Sequence, residues 1–124
     1  MACAAIALAF AACGCTRHDD PLALASDTTR AVYDADYAKT TEHFDPALKL
    51  SATPVSLRAL SAKMHEFGAY RGLTQTTSDA GRQRYEFDAS FDTGVMLIQL
   101  RLDPDGKIGA YRAIPEVTPP PGVR

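Results

Sequence analysis

The chain has 124 residues and a formal net charge of −2, with 46% hydrophobic and 23% charged residues. Once a leader is set aside, that length admits one small domain with a modest core, and Lys and Arg are too scattered to form the basic footprint that nucleic acid requires. The three cysteines Cys3, Cys13 and Cys15 all fall within the first fifteen residues, so the body of the chain offers no thiol redox centre or metal site.

The first segment is mostly apolar, from Ala2 to Cys13. Its run Ala4–Ala12 has the length of the hydrophobic region of an export signal, whereas a membrane-spanning helix takes roughly 18 or more apolar residues. Signal peptidases need small side chains beside the scissile bond. Ala11 and Ala12 supply them before Cys13, and Cys13 and Gly14 supply them before Cys15. These flanks resemble a lipoprotein box, although no Lys or Arg precedes Arg17. The resemblance implies diacylation and acylation of the new N-terminal cysteine, with Cys13 the first candidate for lipid attachment and Cys15 the second. Two or more chains give stable anchoring. The expectation is an exported lipoprotein on the periplasmic side of a bacterial membrane, the outer membrane in particular. Residues 1–15 then form the signal, 16–26 a polar tether, 27–114 one α+β domain, and 115–124 a tail containing Pro119, Pro120 and Pro121, a donor-poor stretch expected to be disordered.

Asp27 is the expected N-cap of the first helix. Tyr33, Tyr37, Thr40, Phe44 and Leu48 follow at spacings of three and four, which lines one helical side facing a core. Asp45-Pro46 interrupts that stripe, because proline disfavours helical geometry in the residue before it and suits the first position of a new turn. A second helix starts at Thr53-Pro54, carries Leu57, Leu60, Met64 and Phe67 on one face, and stops at Gly68.

From Tyr70 the period changes to two. Tyr70–Ser78 is polar and reads as an edge strand that turns at Asp79-Ala80-Gly81. Tyr85, Phe87, Ala89 and Phe91 alternate with polar residues, as do Met96, Ile98, Leu100 and Leu102 with Leu97, Gln99 and Arg101. A two-residue turn at Thr93-Gly94 sets Phe91 opposite Met96, Ala89 opposite Ile98, Phe87 opposite Leu100 and Tyr85 opposite Leu102, with Asp88 facing Gln99 and Glu86 facing Arg101 on the reverse side. Asp103-Pro104-Asp105-Gly106 is a turn by its chemistry, and a last strand runs from Lys107 to about Ile114. The prediction is an α+β fold with two N-terminal helices packed on a four-stranded antiparallel meander.

The element order, the Phe-Gly-Ala-Tyr helix exit, the Tyr-Glu-Phe strand and the Leu-Arg-Leu-Asp-Pro-Asp-Gly-Lys-Ile hairpin resemble the nuclear-transport-factor-two-like (cystatin-like) superfamily, in particular an envelope-associated branch of small single domains. The likeness spans roughly residues 27–114. It implies a bent sheet wrapped on helices into a cone, a cavity in the cone mouth and frequent sheet-mediated dimers. The superfamily hosts enzymes, binders and scaffolds, so it does not supply a reaction.

Tyr33, Tyr37, Tyr85, Met96 and Tyr111 are the candidate pocket lining. The candidate partner face, for a second copy of the chain or another envelope protein, is Leu97, Gln99, Arg101 and Arg112, with Ile108 and Ile114 interspersed. An isomerase or dehydratase on this fold needs a carboxylate base, Asp88 or Asp92, beside a tyrosine donor, but the register puts Asp88 on the reverse face and local capping explains Asp92. His18, His43 and His65 have no metal-ligand spacing, the Asp103–Gly106 turn lacks the distal ligands of a calcium loop, and neither a nucleophile elbow nor a phosphate loop is present. The sequence therefore leads to a non-enzymatic envelope lipoprotein domain without metal or cofactor, binding a small apolar ligand or a protein partner. The cone-pocket enzyme is the alternative.

Overall fold

Asp-Pro and Thr-Pro pairs punctuate the first half of the molecule, and each one starts a helix. The computed structural model describes residues 20–116; the signal, Cys13 and Cys15, the start of the tether and the chain beyond Glu116 lie outside the described residues. Four helices, α1 (Pro21–Tyr33), α2 (Tyr37–Thr41), α3 (Pro46–Ser51) and α4 (Pro54–Glu66), precede four strands, β1 (Tyr70–Asp79), β2 (Arg84–Phe91), β3 (Val95–Leu102) and β4 (Ile108–Pro115). The sheet is an antiparallel meander in the order β1-β2-β3-β4, curved and open. The α+β class expected from the change of period is therefore observed.

The helices are more numerous than the expected two. Asp20, not Asp27, caps α1: its Oδ1 accepts from the Leu22 amide at 3.0 Å, and Pro21 occupies the first turn. Residues 21–26, assigned to the tether from sequence, are thus helical, with Leu24 and Ala25 buried. The chain breaks again at Asp34-Ala35-Asp36, where Ala35 takes φ +55° and Asp36 caps α2 through Lys39 N. Asp45 caps α3 by accepting from Leu48 N at 2.7 Å. Thr53 and Ser56 form the reciprocal capping box of α4, which satisfies amides that a helix start otherwise leaves open. At the exit of α4, Gly68 has φ +93°, and a Cβ there would lie 2.6 Å from Asp92 Cβ; glycine is needed on both counts.

The β2–β3 register differs from the expected one by two residues. Ala89 pairs with Met96, Phe87 with Ile98 and Tyr85 with Leu100. The turn is Asp92-Thr93 rather than Thr93-Gly94, since Phe91 N donates to Gly94 O at 2.9 Å. Contacts outside the hairpin determine this choice. Thr93 N donates to Phe67 O, Asp92 N to Ala69 O, and the Asp92 carboxylate receives Ala69 N and Arg71. A slip of two preserves the faces, so the apolar side chains still point inward. The reverse-face pairs change to Glu86 with Gln99, Asp88 with Leu97, and Arg84 with Arg101.

A bulge in β4 overturns one further expectation. The ladder shifts between Arg101–Ala110 and Leu102–Ile108, which turns Ile108 into the core, where it is fully buried, instead of onto the reverse face with Ile114. Gly109 is the extra residue. A Cβ on it would meet Asp103 Oδ1 at 2.3 Å and Arg101 Nη2 at 2.6 Å. The last strand also runs one residue into the expected tail, with Pro115 opposite Met96 and Glu116 N bonded to Val95 O.

Leu24, Val32, Leu57 and Met64 from the helices meet Phe87, Phe91, Met96, Ile98, Leu100 and Ile108 in one core. Polar ties fix the layers across it. The Thr29 and Tyr111 hydroxyls meet at 2.8 Å, Ser61 Oγ donates to Tyr33 O at 2.8 Å, and the Phe44–Ile108 bridge binds the α2–α3 link to β4 through Ile108 N and His43 O at 2.7 Å.

Candidate functional site

Because α2 and α3 are short and turn sharply at their Asp caps, they lie over the sheet as a broken rim instead of a single packed rod. The space they leave against α4 and β4 is a cavity of about 240 Å³. Val32, Phe44, Leu48, Leu57 and Leu60 provide most of its apolar lining, and its polar residues include Tyr37, Thr40, Thr41, Ser51 and Tyr111, with Thr53 and Ser56 of the α4 capping box at its edge. An engineered cavity of about 150 Å³ takes up benzene, so this one has room for a larger molecule, of bicyclic or medium-chain size.

The polar atoms at the cavity are engaged elsewhere, with one exception. Tyr37 donates to Ala52 O at 2.8 Å, Tyr111 is paired with Thr29, and Thr41 donates to Tyr37 O at 3.0 Å. Burial holds the Tyr111 hydroxyl above its ordinary pKa, so it stays protonated. Thr40 is 4% exposed, and its Oγ1 is buried without a hydrogen-bond partner among the described residues. Leaving a buried hydroxyl unsatisfied costs on the order of 1–3 kcal/mol. Thr40 belongs to the sequence stripe Tyr37, Thr40, Phe44, Leu48. A hydroxyl on an otherwise greasy helix side was the available signal for it.

The expected pocket residues separate into different places. Tyr37 and Tyr111 line the cavity. Met96 does not, being fully buried in the core. Tyr33 stacks on His65 with ring centroids 3.9 Å apart and donates to Gly68 O; it follows Val32 on α1, and consecutive helical residues face different sides, so Val32 lines the cavity and Tyr33 does not. Tyr85 packs at the far end of the core, lining a separate groove with Pro21, Leu102 and Pro104.

Neither candidate carboxylate meets a tyrosine. Asp88 pairs across the sheet with Leu97 and Thr74, and its carboxyl is bonded to Glu116, whose pKa the contact raises. Asp92 is held below the ordinary carboxylate value, first by the Ala69 amide and then by Arg71. A second carboxyl pair lies beneath the bulge: hydrogen bonding with Asp103 lowers Asp45, and the same bond raises Asp103, which also receives Arg101 Nη1 at 3.0 Å. Among the described residues there is no group of three His, Cys, Asp or Glu placed to hold a metal, and no helix is long and apolar enough to cross a membrane. His18 lies outside the described residues.

The four residues of the expected partner face do share one surface. Leu97 pairs with Ile114, Gln99 with Arg112, and Arg101 with Arg84. Gln99, Arg101 and Arg112, together with Glu86 and Ala110, border a second hollow of about 260 Å³, to which Arg84 also contributes and Leu97 does not. No family model, curated protein or solved structure matches the chain.

Proposed function

We propose that this domain binds a small, mainly apolar molecule carrying one hydrogen-bonding group, in the cavity between α2, α3, α4 and β4. The observation that carries the reading is that, whereas the hydroxyls of Tyr37, Thr41 and Tyr111 are already engaged, Thr40, a residue lining this cavity, has a buried hydroxyl without a partner among the described residues. A ligand hydroxyl, carbonyl or carboxyl would satisfy it, while Val32, Phe44, Leu57 and Leu60 would hold the hydrocarbon part. Small-molecule sites commonly combine an apolar lining with few polar anchors.

The rest of the reading comes from the sequence. Membership of the nuclear-transport-factor-two-like superfamily is proposed on the motifs quoted above, and the order of helices before an open, curved meander supports it. A lipid on Cys13 would tether the domain to the periplasmic side of a bacterial membrane. A binding role without catalysis is preferred because Asp88 and Asp92 have partners other than tyrosine.

Calorimetric titration of the full chain with n-alkanols of six to twelve carbons tests the proposal. Each buried methylene contributes about 0.8 kcal/mol, so affinity should climb with chain length and then level off once the cavity is full. The absence of saturable binding, or affinity that climbs without a break through twelve carbons, would overturn it.

A further inference from the structure

We propose that the reverse face of the sheet, on the far side from the apolar cavity, binds a phosphate or phosphomonoester group between Arg84, Arg101 and Arg112. The inference is independent of the proposed cavity ligand. These three side chains come from three adjacent strands and border one hollow of about 260 Å³ together with Gln99 and Glu86.

The ladder places Arg84 directly opposite Arg101. Facing residues of an antiparallel pair are close enough for like charges to destabilise it. Arg112 lies opposite Gln99, two residues along the ladder from the Arg101–Ala110 pair, so Arg112 is the diagonal neighbour of Arg101 on the same face. The carboxylates nearby only partly offset this charge. Asp103 holds Arg101 at 3.0 Å, Glu86 is occupied by Gln99 Nε2 at 3.1 Å, and Asp79, which faces Arg84 from β1, is 3.9 Å from Arg82. Arg84 and Arg112 form no ion pair among the described residues.

Two guanidiniums without an ion pair among the described residues and a third held by Asp103 therefore belong to residues that border one hollow, in a chain whose net charge is negative. Guanidinium forks match the geometry of phosphate oxygens and donate two bonds at once. Breaking a local pairing rule is expected where a site has a use for the arrangement. A bound oxyanion would relieve the Arg84–Arg101 repulsion, and Gln99 would be at hand as a neutral donor.

The test is a ¹H–¹⁵N titration of the full chain with inorganic phosphate, with sodium chloride at matched ionic strength as the control. A parallel arm sediments the chain with vesicles of phosphatidylcholine containing or lacking phosphatidic acid. Either saturable shifts on β2, β3 and β4 with free phosphate, or sedimentation specific to phosphatidic acid, supports the site and identifies its source as soluble or lipid. In both arms the double variant Arg84→Gln, Arg112→Gln should weaken binding by about tenfold or more, the scale of lost charged hydrogen bonds. Glu86→Gln, which removes the competing carboxylate, should tighten it. Shifts reproduced by chloride, binding unchanged in both variants, or no response in either arm overturns the proposal.

Discussion

Replacing Thr40 by valine separates a ligand-binding hydroxyl from a structural one. Thr40 is 4% exposed and its Oγ1 has no partner among the described residues, so the empty domain bears a desolvation cost of about 1–3 kcal/mol that valine, nearly the same shape, does not. Both residues are β-branched with similar helix propensity, so α2 itself should be indifferent to the change. Thr40→Val should therefore stabilise the ligand-free protein by about 1 kcal/mol or more, and in a domain of this size each kcal/mol raises Tm by roughly 4–8 °C. The same change should weaken binding of 1-octanol by about tenfold, as expected for one lost hydrogen bond, and leave binding of an n-alkane of equal length unchanged. Differential scanning calorimetry reads the first effect and titration calorimetry the second. A lower Tm, or an equal effect on alcohol and alkane, would refute the reasoning, because it would mean that the hydroxyl already has a role within the protein.

Phe87 is fully buried at the centre of β2, and Phe87→Ala should cost about 3–5 kcal/mol, seen as a large fall in the urea midpoint with an unchanged slope. At Gly68, with φ +93° and Asp92 Cβ in the path of any added carbon, alanine should destabilise by about 1–3 kcal/mol by the same measurement. The Asp92 carboxyl titrates below its ordinary value of 3.8 in the folded state. The stability it contributes is thus complete above that value and is lost as pH falls through the lower, folded one. Asp92→Asn should accordingly show a flatter decline of urea midpoint between pH 5 and 2 than the parent chain, and equal slopes would remove Asp92 from the account.

The elements that local chemistry alone decides were legible in the sequence. Thr53-Pro54, Asp45-Pro46, Gly68 and the Asp103–Gly106 turn all carry their own capping or torsional instruction, and the period-two alternation identified β2 and β3. Positions decided by contacts between distant segments were not. Asp20-Pro21 is the same signal as Asp45-Pro46, yet it sits next to a polar stretch that reads equally as a tether until Leu24 and Ala25 find a core. The hairpin turn moved to Asp92-Thr93 because Phe67, Ala69 and Arg71 capture it from the helix exit, and no local pattern encodes those partners. The bulge at Gly109 changed the face of Ile108 for the same kind of reason. Of the residues expected to line a pocket, Tyr37 and Tyr111 lie on the cavity, and Tyr33, Tyr85 and Met96 do not. Thr40 was visible as a polar member of an apolar stripe, but only its lack of a partner in three dimensions gives it a chemical meaning.

The most direct test of the cavity as a ligand site is methyl NMR of the full chain during titration with 1-octanol. Methyl signals of Val32, Leu48, Leu57 and Leu60 should shift together and saturate at one equivalent, while those of Leu97 and Ile114 on the reverse face stay in place. Shifts confined to Leu97 and Ile114, or none in the cavity methyls at saturating alcohol, would contradict the account.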